Sequence, residues 1–150
     1  MVRSIEGKNL AYYEAIFQLR KVSPEVILFA REKIEKAGVH IAKEVRNKNG
    51  LDFYLSDNNF ARALGKRLQE KFGGECTITA SIFGRKSGKE IYRLTVLFRG
   101  ISFQKGDIVE YLGSNYKVKL LGKDIFLQEV KIGKKVHVKY KDMDSVNLVS

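Results

Sequence analysis

The chain has 150 residues, 44% of them hydrophobic and 30% charged, which excludes a disordered tail and allows one ordinary domain or two small ones. Its 28 Lys and Arg stand against 17 Asp and Glu, a formal net charge of +11 that points to a polyanionic partner, nucleic acid being the commonest. The plain alternative is a basic protein kept soluble by its charge. The excess is not confined to a tail, since residues 1–100 hold 19 basic and 11 acidic side chains and residues 101–150 hold 9 and 6.

Residues 10–20 read as a strand, with Tyr13, Ala15, Phe17 and Leu19 alternating against Tyr12, Glu14, Gln18 and Arg20. Ser23 and Pro24 then open a helix as N-cap and first helical residue. Ile27, Ala30, Ile34 and Ala37 keep its apolar spacing and Gly38 closes it. Val39, Ile41 and Val45 mark a second strand, with His40, Ala42, Glu44 and Arg46 on its other side, and Asn47-Lys48-Asn49-Gly50 is a hairpin turn. Leu51, Phe53 and Leu55 mark a third strand, with Asp52 and Tyr54 facing away. Ser56, Asp57 and Asn58 can cap a second helix, whose Phe60, Leu64, Leu68 and Phe72 lie four apart while Arg62, Lys66, Arg67 and Lys71 take the other side.

Two longer strands follow. Cys76, Ile78, Ala80 and Ile82 alternate in the first, Tyr92, Leu94, Val96 and Phe98 in the second, and 84–89 forms the turn between them. The order predicts an α+β fold: a β-α-β-β-α-β-β sheet, mostly antiparallel, with both helices on one face. From Phe103 onward no helical period is visible. Short alternating runs at 108–112, 116–121, 125–130, 136–140 and 146–149, punctuated by glycine turns, predict a small closed barrel. Two modules are expected, over 8–100 and 103–150.

The residues offer little for catalysis. His40 and His137 are the only histidines and fall in different modules, so a partly exposed strand histidine describes each. Cys76, the only cysteine, excludes an internal disulfide or a multi-cysteine zinc site and reads as a small core residue. Asp142 and Asp144 lack further oxygen ligands nearby and read as a solvated turn. Gly84 to Lys89 resembles a phosphate-binding loop only on the surface. Its glycine spacing is one residue short, Glu90 replaces the Ser or Thr that meets magnesium, and a strand follows where a helix is required. No apolar run reaches the ~20 residues of a membrane helix. Met1-Val2-Arg3-Ser4 opens no signal peptide, so a cytoplasmic location is expected.

Candidate nucleic-acid contacts fall in five places. The hairpin tip carries Arg85, Lys86 and Lys89, either reaching for phosphates or simply solvated. The face of the sheet left open by the helices is expected to show Tyr12, Tyr54, Arg46 and Arg93, with Tyr13 covered on the other side. Rings flanked by guanidinium groups can stack on unpaired bases, and a cross-strand tyrosine pair is the ordinary reading of the same pattern. The second helix presents Arg62, Lys66, Arg67 and Lys71. The barrel adds Lys134 and Lys135 beside Lys131, Lys139 and Lys141, and Lys48 sits in the first hairpin turn. Several such patches suit structured RNA read by shape and backbone.

Tyr12-Tyr13-Glu14-Ala15-Ile16-Phe17-Gln18-Leu19-Arg20, then Gly50-Leu51-Asp52-Phe53-Tyr54-Leu55-Ser56 and Ala61-Arg62-Ala63-Leu64, resemble the family of the large-ribosomal-subunit nuclear export adaptor, named for nonsense-mediated decay (protein three) and found also in archaea. Lys105-Gly106-Asp107-Ile108-Val109 matches that family's module boundary. The resemblance implies a ribosomal-protein-like α+β domain followed by an SH3-like barrel. It also implies binding to the large subunit in late maturation, through ribosomal RNA and ribosomal proteins, without enzymatic activity. The family's zinc module with its CxxC pairs and its second barrel have no counterpart in this sequence, so a fragment or reduced relative is expected and zinc is not carried over. The expectation is a non-enzymatic, RNA- and ribosome-binding factor of the large subunit, with no cofactor, metal, membrane or small-molecule substrate. The other reading is a protein–protein adaptor whose barrel binds a ribosomal or translation protein without touching RNA.

Overall fold

A computed structural model describes residues 10–149. Its first sheet has the order β2-β3-β1-β5-β4, built from β1 (Ala15–Arg20), β2 (Ile41–Asn47), β3 (Gly50–Leu55), β4 (Glu75–Lys86) and β5 (Lys89–Arg99). Only β1 and β5 run parallel; the other neighbours are antiparallel. Helices α1 (Pro24–Ala37) and α2 (Asn58–Phe72) share one face of it. Phe17, Leu19, Phe53, Leu55, Val96 and Phe98 from the strands and Ala30, Ile34, Leu64 and Leu68 from the helices are all buried in one cluster. Each large side chain so buried contributes about 1.5–3 kcal/mol.

The helices start and stop where the sequence puts their signals. Ser23 precedes Pro24 in an extended conformation, although its hydroxyl makes no capping bond. Asp57 does cap α2, its carboxylate accepting from the Phe60 N–H at 2.9 Å. At Gly65, α2 meets the sheet so closely that an added Cβ would lie 2.7 Å from Cys76 Sγ and 2.8 Å from a Val96 methyl. At Gly50 an added Cβ would lie 1.9 Å from the Leu19 carbonyl oxygen, which fixes glycine at the crossing of β3 and β1.

Several strand details differ from the sequence reading. Strand β1 begins at Ala15 rather than near residue 10, and Tyr12 and Tyr13 precede its pleat. His40 lies just before β2, not within it. A bulge between Ile41 and Lys43 breaks the alternation of β2 and leaves Val45 exposed. The turn between β4 and β5 shrinks to Ser87-Gly88, both at positive φ (53° and 76°), with Gly84 and Arg85 already inside β4. That is the handed two-residue turn which suits the twist of a long hairpin.

The second sheet has the order β10-β6-β7-β8-β9, from β6 (Ile108–Tyr111), β7 (Ser114–Leu121), β8 (Ile125–Glu129), β9 (Lys135–Val138) and β10 (Val146–Leu148). The five strands were expected, but the sheet is not closed. No pairing joins β9 to β10 among the described residues. A 3-10 helix, Tyr140–Ser145, occupies the chain between them, where no helix was expected. Its Tyr140 and Met143 are buried with Val109, Val118, Ile125 and Leu127, so side chains rather than ladder hydrogen bonds seal that side of the core.

The two sheets meet at polar and apolar contacts. The Arg99 guanidinium donates to both oxygens of Asp144 (2.9 and 3.0 Å) and to Glu75 at 3.0 Å. Gly73, at the end of α2, lies against Leu121 and the Tyr140 hydroxyl, which donates to the Gly122 carbonyl of its own unit at 2.8 Å. Burial pushes this phenol up to about 12, against a backbone hydrogen bond at Gly74.

Two outcomes follow from this packing. Gly65→Ala gains helix propensity but overpacks Cys76 and Val96, for a net loss of about 1–2 kcal/mol, read as a lower urea midpoint at unchanged slope. Tyr140→Phe loses one hydrogen bond, a cost of about 1 kcal/mol. Because the folded phenol titrates above the ordinary value near 10, the native protein loses stability as pH rises from about 10 to 12. The Phe variant lacks that part of the alkaline decline in urea titrations.

Candidate functional site

The face of the first sheet opposite the helices carries a chain of rings and cations. Lys43, brought to this face by the β2 bulge and paired with Tyr54, holds its ammonium 4.4 Å from the Tyr54 ring centre. Tyr54 meets Tyr13 edge-to-face at 4.8 Å. The Arg93 guanidinium lies 3.9 Å from the ring of Tyr13 and 3.9 Å from that of Phe83. Arg93 Nε also donates to the Tyr13 carbonyl at 3.3 Å.

This arrangement brings together two residues the sequence singled out, Tyr54 and Arg93, and separates the others. Arg46 pairs with Leu51, a core residue, so it lies on the helix side of the sheet at the exposed edge strand. The bulge is the cause, since one extra residue exchanges the two sides of a strand. Tyr12 leaves the face as well: its hydroxyl donates to Glu14 at 2.5 Å, and Glu14 accepts from the Asn58 N–H at the start of α2. Tyr13, expected under the helices, stands on the open face because it precedes the first pleated residue of β1.

Lys43, Tyr13 and Phe83 are thus parts of the face that sequence reasoning missed. Phe83 alone carried a signal. A glycine inside a strand pattern marks a bulge, and the β4 ladder does slip between Ile82 and Gly84.

The β4–β5 hairpin runs on beyond the core as an arm, with Ile82, Phe83 and Tyr92 exposed. Near its end Arg85 is exposed and pairs loosely with Glu90 at 3.5 Å, and Lys89 is exposed. Lys86 belongs to β4, but its side chain lies outside the described residues. Glu90 also accepts from the Tyr92 hydroxyl at 2.6 Å, a bond that raises the Tyr92 phenol above its ordinary value.

On the other side of the molecule, α2 exposes Arg62, Lys66 and Arg67. Lys71 lies over the rings of Phe29 and Phe72 at 5.2 and 5.6 Å. Lys48 is exposed in the β2–β3 turn, and Lys134 and Lys135 are exposed at the start of β9. The predicted contacts therefore form separate patches on both sides of the first sheet, rather than one surface.

The two histidines stand apart, His40 beside the first sheet and His137 in the second. His40 bonds the Leu10 carbonyl at 2.6 Å, whereas His137 packs on Phe126 across β8 and β9. Cys76 is half-buried against Gly65, and burial pushes its thiol up, away from the reactive thiolate. Asp144 is engaged by Arg99. No group of three or more metal-ligating side chains forms among the described residues. No helix among the described residues is long and apolar enough to cross a membrane.

The NMD3 second-domain family model matches residues 12–99, which span the whole first sheet and both helices. The chain belongs to the NMD3 family. Membership ties it to export and translation factors of the large ribosomal subunit. No curated protein matches the chain.

Glu90→Gln removes the charge that holds Tyr92 and Arg85. The Tyr92 phenol then titrates closer to 10, while the unfolding midpoint stays within experimental scatter because the pair is exposed. A ring-proton NMR titration reads the first effect and a urea curve the second.

Proposed function

We propose that this chain is a non-enzymatic, RNA-binding factor of the large ribosomal subunit, acting in late maturation or translation in the cytoplasm. Ribosomal RNA and large-subunit proteins are its partners in this reading. The observation that carries it is the state of the cations on α2. Arg62, Lys66 and Arg67 are exposed and form no ion pair among the described residues. Glu70 lies four residues after Lys66 on the same helix without forming an ion pair among the described residues, so the row keeps its three positive charges turned to solvent, where an external polyanion can meet them. The family relation supports ribosomal RNA as that polyanion.

The second sheet fits the SH3-like module expected of this family. Its strand order and the 3-10 helix just before the last strand support that assignment, although no hydrogen-bonded ladder closes it.

One observation favours a protein-binding role for this module in addition. Leu112 sits at the tip of the β6–β7 turn with φ 48° and is 80% exposed, and Val130 and Ile132 of the β8–β9 connection are exposed as well. A bulky residue held at positive φ and turned to solvent is unusual, and such a tip suits a ribosomal or translation protein.

Co-sedimentation with large subunits across a salt series tests the proposal. Binding through many phosphates falls by orders of magnitude between about 50 and 200 mM salt. Reversing Arg62, Lys66 and Arg67 to Glu together flattens that slope by about three contacts. Salt-independent association that survives nuclease, unchanged by the reversal, would sink the RNA reading in favour of the adaptor.

A further inference from the structure

Arg93 differs from the three arginines that hold carboxylates around the body of the first sheet. Arg20 bonds Asp52 at 2.7 Å, Arg31 is paired with Glu44, and Arg99 holds Glu75 and Asp144. Arg93 has no carboxylate within ion-pair distance among the described residues, and it is half-buried between two rings. Its Nε is bound to the Tyr13 carbonyl, and its Nη1 and Nη2 have no acceptor among the described residues. A guanidinium clamped by aromatic faces has lost its freedom before any ligand arrives, and its two remaining nitrogens form a fork that matches a phosphate.

Rings surround that fork. Phe83 is 42% exposed, although Arg93 covers one of its faces. Tyr54 and Tyr13 continue the row, and Lys43 supplies a second cation at its far end. Two carboxylates on this face, Asp52 and Glu75, are already engaged by Arg20 and Arg99. A cation fork with flanking aromatic faces, spaced across neighbouring strands, is the arrangement that holds a backbone phosphate while bases stack to either side. A duplex cannot use it, because its bases already stack on one another.

We propose that the open face of the first sheet is a site for unpaired RNA, with Arg93 receiving a phosphate and Phe83 and Tyr54 stacking bases. This rests on the RNA-binding reading above and narrows it. Helix α2 meets phosphates irrespective of pairing, and the open face selects single-stranded segments.

The test compares an unpaired oligoribonucleotide of about ten residues with the same sequence annealed to its complement, by fluorescence anisotropy on the full chain. The expected result is tighter binding of the unpaired form by about tenfold or more. Arg93→Lys keeps the charge but loses the planar fork, and Phe83→Ala removes an exposed ring. Each lowers affinity for the unpaired form by about tenfold and changes duplex binding by less than about twofold. Phe83 is solvent-exposed in the arm, so its variant keeps the wild-type circular dichroism and urea midpoint and carries the test if Arg93→Lys misfolds.

Equal binding of both RNA forms, or a preference for unpaired RNA that Phe83→Ala leaves intact, overturns the inference. So does loss of a nuclease-resistant protein partner in Phe83→Ala with RNA binding untouched, which would assign the face to protein. If large subunits still bind with a steep salt slope in any of these cases, the RNA-binding reading stands without the site. If neither RNA form nor the large subunit binds, both fall.

Discussion

The parallel pairing of β1 with β5 is the contact on which the rest of the structure depends. It registers Ala15 to Arg20 against Leu94 to Arg99, residues separated by nearly the whole first sheet and both helices. Such a pairing requires the intervening chain to be folded back over one face, and α1 and α2 are what covers that face. It places β1 in the centre, where Phe17 and Leu19 are fully buried between Phe53 on one side and Val96 and Phe98 on the other. The same register brings the residues just before β1 beside the middle of β5. The Leu94 N–H donates to the Glu14 carbonyl at 3.0 Å, and one step further Arg93 reaches Tyr13. The aromatic row of the open face is therefore a direct consequence of how the sheet is threaded. At its other end the pairing stops at Arg99, whose side chain spans to Asp144 and ties the second sheet to the first.

The net charge acquires a location from the same geometry. Acidic residues around the first sheet sit opposite particular arginines: Asp52 against Arg20, Glu44 against Arg31, Glu75 against Arg99. In Arg20–Asp52 and Arg99–Glu75 both side chains are largely shielded, so breaking one leaves an uncompensated charge. What is left over includes cations to which the fold gives no ion-pair partner among the described residues, such as Arg62, Lys66 and Arg67 on α2, Arg46 and Lys48 on the first hairpin, Lys134 and Lys135 on the second sheet, and Arg93 between its rings. Their placement is free of any demand from core packing, apart from Arg93.

The sequence states much of the fold openly because most of its signals are local. Ser23-Pro24 and Gly38 bound α1, Asp57 caps α2, and the alternation of Leu51, Phe53 and Leu55 sets the buried side of β3. The failures share one cause: a side chain's face depends on register, and register is decided by the neighbouring strand. The bulge in β2 moved Arg46 to the helix side and put Lys43 beside Tyr54, with no local glycine to announce it. Tyr13 continued the alternation of β1 on paper, yet the pleat starts only where β3 and β5 supply partners, at Ala15. Ile82 and Tyr92 kept the apolar alternation of the core but lie on the arm, past the reach of the helices. The 3-10 helix was hidden because Tyr140 and Met143 at spacing three read equally well as the end of a strand and a loop residue.

The first sheet ends up with two sides of different chemistry, and neither is required by the other. A sheet covered by helices on one face leaves its second face free to carry rings and cations, while an amphipathic helix turns its polar stripe outward whatever those polar residues are. Helix α2 could pack on Phe17 and Val96 equally well with mixed charges outside, since its buried residues are Ala61, Leu64, Gly65 and Leu68. The open face would hold its register without Phe83, which lies beyond the core cluster. A flat partner can meet only one of these sides at a time. The arm of β4 and β5, with Ile82, Phe83 and Tyr92 all exposed, is the element that extends past the sheet body. A partner engaged from both sides at once must therefore fold round the arm or present two separate segments, a demand that a folded RNA meets more readily than a single peptide groove.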